Sequence, residues 1–166
     1  KQVTILSCNV TSLDAHWEEL VDEKWDCLLV QESRTNDAAA VWADCRKRRW
    51  AVCRGFPGAD GTDLVAAVFR MGAVTSLGPL SAGPPERSQR ILWHAGGPCS
   101  WLLANVNAPA DGSEAARMLA SAYMREAVAE GEARPGKPTL VAGDFQHPLA
   151  QLPACWAAEL SGWADI

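Results

Sequence analysis

The stretch Val3-Thr4-Ile5-Leu6-Ser7-Cys8-Asn9 decides how the rest of the chain is read. Val3 to Cys8 is an apolar, β-branched run and reads as a buried strand. It stops on an amide, Asn9. The pattern returns twice: Cys27-Leu28-Leu29-Val30-Gln31 runs into Glu32, and Thr139-Leu140-Val141-Ala142-Gly143 runs into Asp144. In open α/β sheets, ligands and catalytic groups gather outside the carboxyl ends of strands. A carboxylate in such a place is costly to bury unless it is paired or bound to a cation. Asn9, Glu32 and Asp144 all offer oxygen, so together they point to a hard-cation site for Mg2+, with Mn2+ suiting the same donors. Taken singly, each reads as a strand-end residue capping a turn.

Working outward, the segments between these strands carry helical periodicity. Thr11 or Ser12 caps a helix over about Asp14 to Lys24, with Trp17, Leu20 and Val21 on one face. Trp25 to Gln31 is the second strand. Asn36 or Asp37 caps a helix over Ala38 to Arg48, and Trp50 to Cys53 is a third strand. After the turn-rich GFPGADGTD, Leu64 to Arg70 and Ala73 to Leu80 read as a hairpin turning at Met71 and Gly72. Ser88 to His94 and Ser100 to Val106 read as antiparallel partners. Ser113 opens a helix to about Glu130 whose apolar face holds Met118, Leu119, Ala122 and Tyr123. Thr139 to Ala142 is a strand, and Leu152 to Leu160 a last short helix. The order β-α-β-α-β, antiparallel strands, then α-β-α predicts a layered α/β or α+β fold in one domain over residues 1–166.

Composition narrows the function classes. With 166 residues, 48% apolar and 21% charged, the chain is globular rather than disordered or collagenous. No apolar run approaches the roughly 18 residues of a membrane helix, so no membrane partner is expected. A net charge of -5 excludes a globally basic nucleic-acid coat but not a local basic surface. The six cysteines form no CxxC pair and no zinc spacing with histidine. An even count permits disulfides, but Cys8 and Cys27 lie in apolar runs that read as strands, which favours reduced buried thiols; with no signal peptide in KQVTILSCNV the expected setting is intracellular, cytoplasmic or nuclear. The two ends read as cuts from a longer protein or as those of a short gene product. Nothing in the sequence implies an obligate protein partner.

The segments ILSCNV, LLVQES and LVAGDFQ, in that order, resemble the metal-dependent endonuclease/exonuclease/phosphatase superfamily. LLANVNAP lies where that family has a strand followed by a Tyr-Ala-Pro or His-type motif, and GWADI resembles its segment after the penultimate helix. The resemblance spans almost the whole chain. It implies a four-layer α/β/β/α sandwich, C-terminally incomplete, and Mg2+-dependent phosphodiester hydrolysis. Glu32 would be the principal metal ligand, with Asn9 beside it orienting water or a phosphate oxygen. Asp144 would align or deprotonate the attacking water, and Asn107 and Gln146 would complete the site. Gln31 is expected to support Glu32 through a hydrogen bond. The VNAP motif most resembles endonucleases of non-long-terminal-repeat retroelements, which makes DNA the expected partner.

Several positions depart from the family pattern. Gln146 replaces an Asn, which moves the amide one methylene further out. Asn107 replaces a phenol or imidazole, and Gly61-Thr62-Asp63 replaces a small, glycine-rich segment. The family's closing strand pair and Ser-Asp-His motif have no counterpart up to Ile166. His147 lies on the wrong element to replace that histidine, while His16 and His94 read as structural or solvated. A degenerate, non-catalytic member of the same fold and a small-molecule phosphodiesterase or phosphatase are therefore the rival readings. Among weaker features, GEARPGKP lacks the Ser/Thr of a P-loop and precedes a strand. Arg46-Lys47-Arg48-Arg49 reads as a solvated helix end or a phosphate-backbone contact. The eight tryptophans read as core. Arg117 and Arg125 lie on a helix from which they either reach a phosphate or face solvent.

Overall fold

The apolar runs pair into two four-stranded sheets. The computed structural model describes residues 2–34, 39–96, 100–148, 151, 152 and 154. Its elements are β1 (Ile5–Asn9), α1 (Leu13–Asp22), β2 (Cys27–Gln31), α2 (Ala39–Lys47), β3 (Ala51–Arg54), β4 (Val65–Phe69) and β5 (Ala73–Gly78). A 3-10 turn (Pro85–Arg87), β6 (Ser88–His94), β7 (Trp101–Asn107), α3 (Glu114–Glu132) and β8 (Thr139–Asp144) follow. The first sheet has the order β1-β2-β4-β3 and the second β5-β6-β7-β8. Only β1–β2 and β7–β8 are parallel; the other pairs are antiparallel.

Period-two alternation sorts each strand's side chains between two cores. Leu28 and Val30 of β2 pack outward with Val41, Trp42 and Cys45 of α2 and with Leu13 and Trp17 of α1. Cys27 and Leu29 point inward and meet Ile91, Trp93 and Leu103 of the second sheet. On the far side, Ala104 and Val106 pack against Ala120, Tyr123, Met124 and Ala127 of α3. Helices, sheet, sheet and helix therefore form the four expected layers. Ser113 caps α3, its hydroxyl accepting from the Ala116 N–H at 3.0 Å, as its sequence position predicts.

The structure corrects three readings. Leu64 to Arg70 and Ala73 to Leu80 do not form a hairpin. β4 already has β2 on one edge and β3 on the other, so β5 has no edge to pair with there and crosses to β6. The crossing is sharp: Gly72 sits at φ +87°, and a Cβ on it would lie 2.1 Å from the His94 carbonyl oxygen. β1 is not a buried strand but a half-exposed edge strand, because among the described residues β2 is its sole ladder partner. Met118 is 50% exposed, while Ala116, Ala120, Tyr123, Met124, Ala127 and Val128 form the buried stripe of α3.

The thiols of Cys27, Cys45 and Cys53 are buried and free, and Cys8 is free and half-buried. Trp17, Trp25, Trp42 and Trp93 are core residues. The Asn36 or Asp37 cap, Cys99, Cys155 and the Leu152 to Leu160 helix lie outside the described residues, apart from Leu152 and Ala154.

Candidate functional site

β1 and β2 run parallel in one sheet, and β7 and β8 run parallel in the other. Their last residues form matched pairs, Asn9 with Gln31 and Asn107 with Asp144. The two pairs meet at one end of the sandwich. The Asn9 amide donates from Nδ2 to Glu32 Oε1 at 3.5 Å and also to Asp144 Oδ2. Three strand ends from two sheets thus converge on a single amide nitrogen.

Parity alone would not bring Glu32 there. Val30 faces outward and Gln31 inward, so a regular strand would send the next side chain outward again. Glu32 instead has φ +54°, in the left-handed region. That conformation costs a non-glycine residue about 1–2 kcal/mol, and it turns the carboxylate to Asn9. Gln146 is held the same way, at φ +57°. Two of the five candidate residues therefore sit on strained backbone, which clusters at functional sites. Gly143 has a different role. It lies beside Val106, where a Cβ would fall 2.1 Å from the carbonyl oxygen, so only glycine lets β8 pair closely with β7 and deliver Asp144.

Asp144 is fully engaged. Its Oδ1 accepts the Gln146 N–H at 3.0 Å, and its Oδ2 accepts from the side chains of Asn9 and Gln146. The longer amide of Gln146 thus folds back on the carboxylate. Asn107 is buried at 3% exposure, and its carbonyl accepts from Arg87 Nη1 at 3.3 Å. His147 buries its Nε2 with no hydrogen-bond partner among the described residues. Next to these, the Asp111 carboxyl is held below its usual range. The Ser113 side-chain and backbone hydrogen bonds are the main causes, and the charges of His147 and Arg87 add to them.

Gln31 does not support Glu32. Its side chain points between the sheets and donates to Ser7 Oγ at 3.2 Å and to Asn105 Oδ1 at 2.5 Å. Asn105 in turn donates to the Val30 and Ala66 carbonyls, both at 3.1 Å. Gln31 and Asn105 are 2% and 0% exposed. They form a polar bridge between the sheets directly beneath the site. Sequence reasoning missed Asn105, although its signal was there: in Trp101–Asn107 it shares parity with inward-facing Leu103.

The basic run Arg46 to Arg49 is not part of this site. It precedes β3, which runs the same way as β2, so it lies at the opposite end of the sheet. Arg117 pairs with Glu114 on its own helix, and Arg125 is exposed.

The donors suit a hard cation. Two carboxylates and an amide within reach of one another match the habit of Mg2+, which takes one or two carboxylates and completes its shell with water and phosphate. Among the described residues, no group of three or more His, Cys, Asp or Glu side chains could hold a metal ion. A bound ion would therefore rest on Glu32 and its neighbours together with water.

No protein-family model and no curated protein matches the sequence. Solved structures do match the fold. An AP endonuclease from Archaeoglobus fulgidus is similar at a TM-score of 0.67 and 16% identity, over 95% of this chain and 68% of that one. The endonuclease domain of TRAS1, a telomere-specific non-LTR retrotransposon, is similar at 0.61 and 13%, over 88% and 61%. ANGEL2, a 2′,3′-cyclic phosphatase, is similar at 0.61 and 13%, over 87% and 53%. The chain spans about half to two-thirds of the length of these structures. Its two packed sheets, with helices outside both, have the endonuclease/exonuclease/phosphatase fold.

Proposed function

We propose that this chain hydrolyses a phosphodiester with the help of a divalent cation, Mg2+ or Mn2+, and that its substrate is DNA, as for an endonuclease of retroelement type. The observation that carries this reading is the convergence of Asn9, Glu32 and Asp144 on one point, with Glu32 turned inward by strained backbone. The likeness to TRAS1 and to the archaeal AP endonuclease supports a nucleic-acid substrate, and the VNAP motif supports the retroelement comparison. Free thiols at Cys8, Cys27, Cys45 and Cys53 fit an intracellular setting. Among the described residues, no helix is long and apolar enough to cross a membrane.

In this reading, Glu32 and Asn9 hold the cation and its water. When bound, the cation polarises the phosphoryl oxygen and stabilises the leaving oxygen. Asp144 takes the proton of the attacking water. The Gln146 N–H pins its Oδ1, and Oδ2, which accepts from the Asn9 and Gln146 side chains, is the oxygen on the Asn9 side of the site. The Asn107 amide donates to the phosphate, and the Gln146 side-chain amide leaves Asp144 Oδ2 to do the same when substrate binds. The protein's contribution is chiefly positioning and charge stabilisation, which dominate phosphoryl transfer.

The test is nicking of supercoiled plasmid by the 166-residue chain in Mg2+ and in EDTA, alongside Glu32→Ala. Mg2+-dependent nicking that disappears in the variant supports the reading. Its absence at high protein concentration overturns the endonuclease. A second reading, a non-catalytic domain that binds a cation without turnover, is favoured by Asp144, whose two oxygens are both occupied by amide N–H groups. Mn2+ binding measured by electron paramagnetic resonance, with no turnover of plasmid or of a 2′,3′-cyclic phosphate, would select it.

A further inference from the structure

We propose that Arg87 is the residue that holds a phosphate of the substrate, making an anion clamp on the second-sheet side of the site. The proposal rests on the phosphodiesterase reading and adds to it a residue that neither the motifs nor the family resemblance singles out. Arg87 ends the 3-10 turn of Pro85–Arg87, which is fastened on several sides. Its N–H donates to the Pro84 carbonyl at 3.2 Å, and the Glu86 carbonyl accepts from Leu64 N at 3.0 Å. Ser88 is buried next to it, and its Oγ accepts from Leu80 N at 3.0 Å. The guanidinium is therefore presented from a fixed platform.

That platform stands beside the candidate site. Arg87 Nη1 donates to the Asn107 carbonyl at 3.3 Å. Asn107 is the ladder partner of Asp144, and the next N–H, of Ala108, donates to the Asp144 carbonyl at 2.7 Å. Arg48, Arg54, Arg90, Arg117 and Arg134 each face a carboxylate in an ion pair. Arg87 is half-buried, yet among the described residues it forms no such pair. Asp111, whose carboxyl feels the Arg87 charge only as a minor contribution, is already tied to Ser113. A guanidinium has five N–H donors in a rigid fork that matches phosphate oxygens. A partly desolvated cation in no close ion pair among the described residues, next to carboxylates that themselves call for a cation, is a place for a phosphate to settle.

The test uses the full chain labelled with 15N-arginine, free of metal and titrated with inorganic phosphate. The Nε–Hε resonances are followed by NMR and assigned through the backbone, so no variant is needed. The expected result is a saturating shift at Arg87 that Arg117, paired with Glu114, does not show. An Arg87 shift no larger than that of Arg117 overturns the proposal, whether or not plasmid is nicked. A saturating shift in a chain that never nicks plasmid keeps the clamp and removes the endonuclease. In parallel, Arg87→Gln should weaken binding of a fluorescent DNA duplex in Ca2+ by about 10- to 100-fold. It should also lower the slope of log K against log salt by about 1. Unchanged affinity and slope in a folded Arg87→Gln overturn the proposal as well.

Discussion

Replacing Asn105 with leucine tests the principle on which the site is built: two sheets held in register by a buried polar bridge. Asn105 makes three hydrogen bonds in a fully buried setting. It donates to the Val30 and Ala66 carbonyls at 3.1 Å each, and it accepts from Gln31 Nε2 at 2.5 Å. Each is worth about 1 kcal/mol net. Asn105→Leu also strands one N–H of Gln31, which is 2% exposed and keeps a bond to Ser7 at 3.2 Å. An unsatisfied buried donor costs about 1–3 kcal/mol. The expected loss is therefore about 4–6 kcal/mol, a large part of the roughly 5–15 kcal/mol that stabilises a domain.

Removing both partners should cost less than the sum of the singles, because the double variant strands no Gln31 amide. Urea unfolding followed by tryptophan fluorescence, on the wild type, Gln31→Leu, Asn105→Leu and the double variant, gives a full cycle. The predicted coupling is about 1–3 kcal/mol. A loss below about 1 kcal/mol for Asn105→Leu, or strict additivity in the double variant, would refute the bridge. The double variant should also lose plasmid nicking, because a misplacement of about 1 Å can cost about 100-fold in rate.

Two other perturbations address separate features. At Glu32, held at φ +54°, the glycine variant should be more stable than the alanine variant by about 1–2 kcal/mol, since only glycine adopts that backbone freely; equal unfolding midpoints for Glu32→Gly and Glu32→Ala would show that the residue is not strained. Burial raises the Cys27 thiol, with a further contribution from Asp26, and it raises the Cys45 thiol to about 12 from an ordinary value of 9.0. Above about pH 9 the unfolded chain releases protons that the folded chain keeps, so stability is fully present below that pH and falls as the pH rises toward the folded values. Each thiol should remove about 1.4 kcal/mol by pH 10. A urea midpoint unchanged between pH 8 and pH 10 would mean that these thiols are not buried in the folded chain.

Much of the site was legible because its residues occupy strand ends. Apolar runs that stop on Asn9, Glu32 and Asp144 mark where chemistry can gather, and the structure does bring these three together. The helices were legible through periodicity and, for α3, through the Ser113 cap. Other features depend on partners far away in the chain. Whether β4 and β5 form a hairpin depends on β2 and β3 taking both edges of β4, which no local pattern in residues 64–80 records. Gln31 turns away from its neighbour Glu32 because strand parity, not adjacency, sets the direction of its side chain. Its partner is Asn105, 74 residues away.

The sequence by itself therefore determined the order of the elements, the identity of the polar residues at the strand ends and the oxygen character of the donor set. These follow from local periodicity and side-chain chemistry. Only the tertiary structure decided that Asn9 meets Asp144 across 135 residues of chain, that Glu32 turns inward, and that Arg87 rather than Arg46 to Arg49 stands beside the site. The physical reason is that sheet pairing, strained backbone and the end of the sandwich at which a charge emerges are set by long-range packing, to which the spacing of residues along the chain is blind.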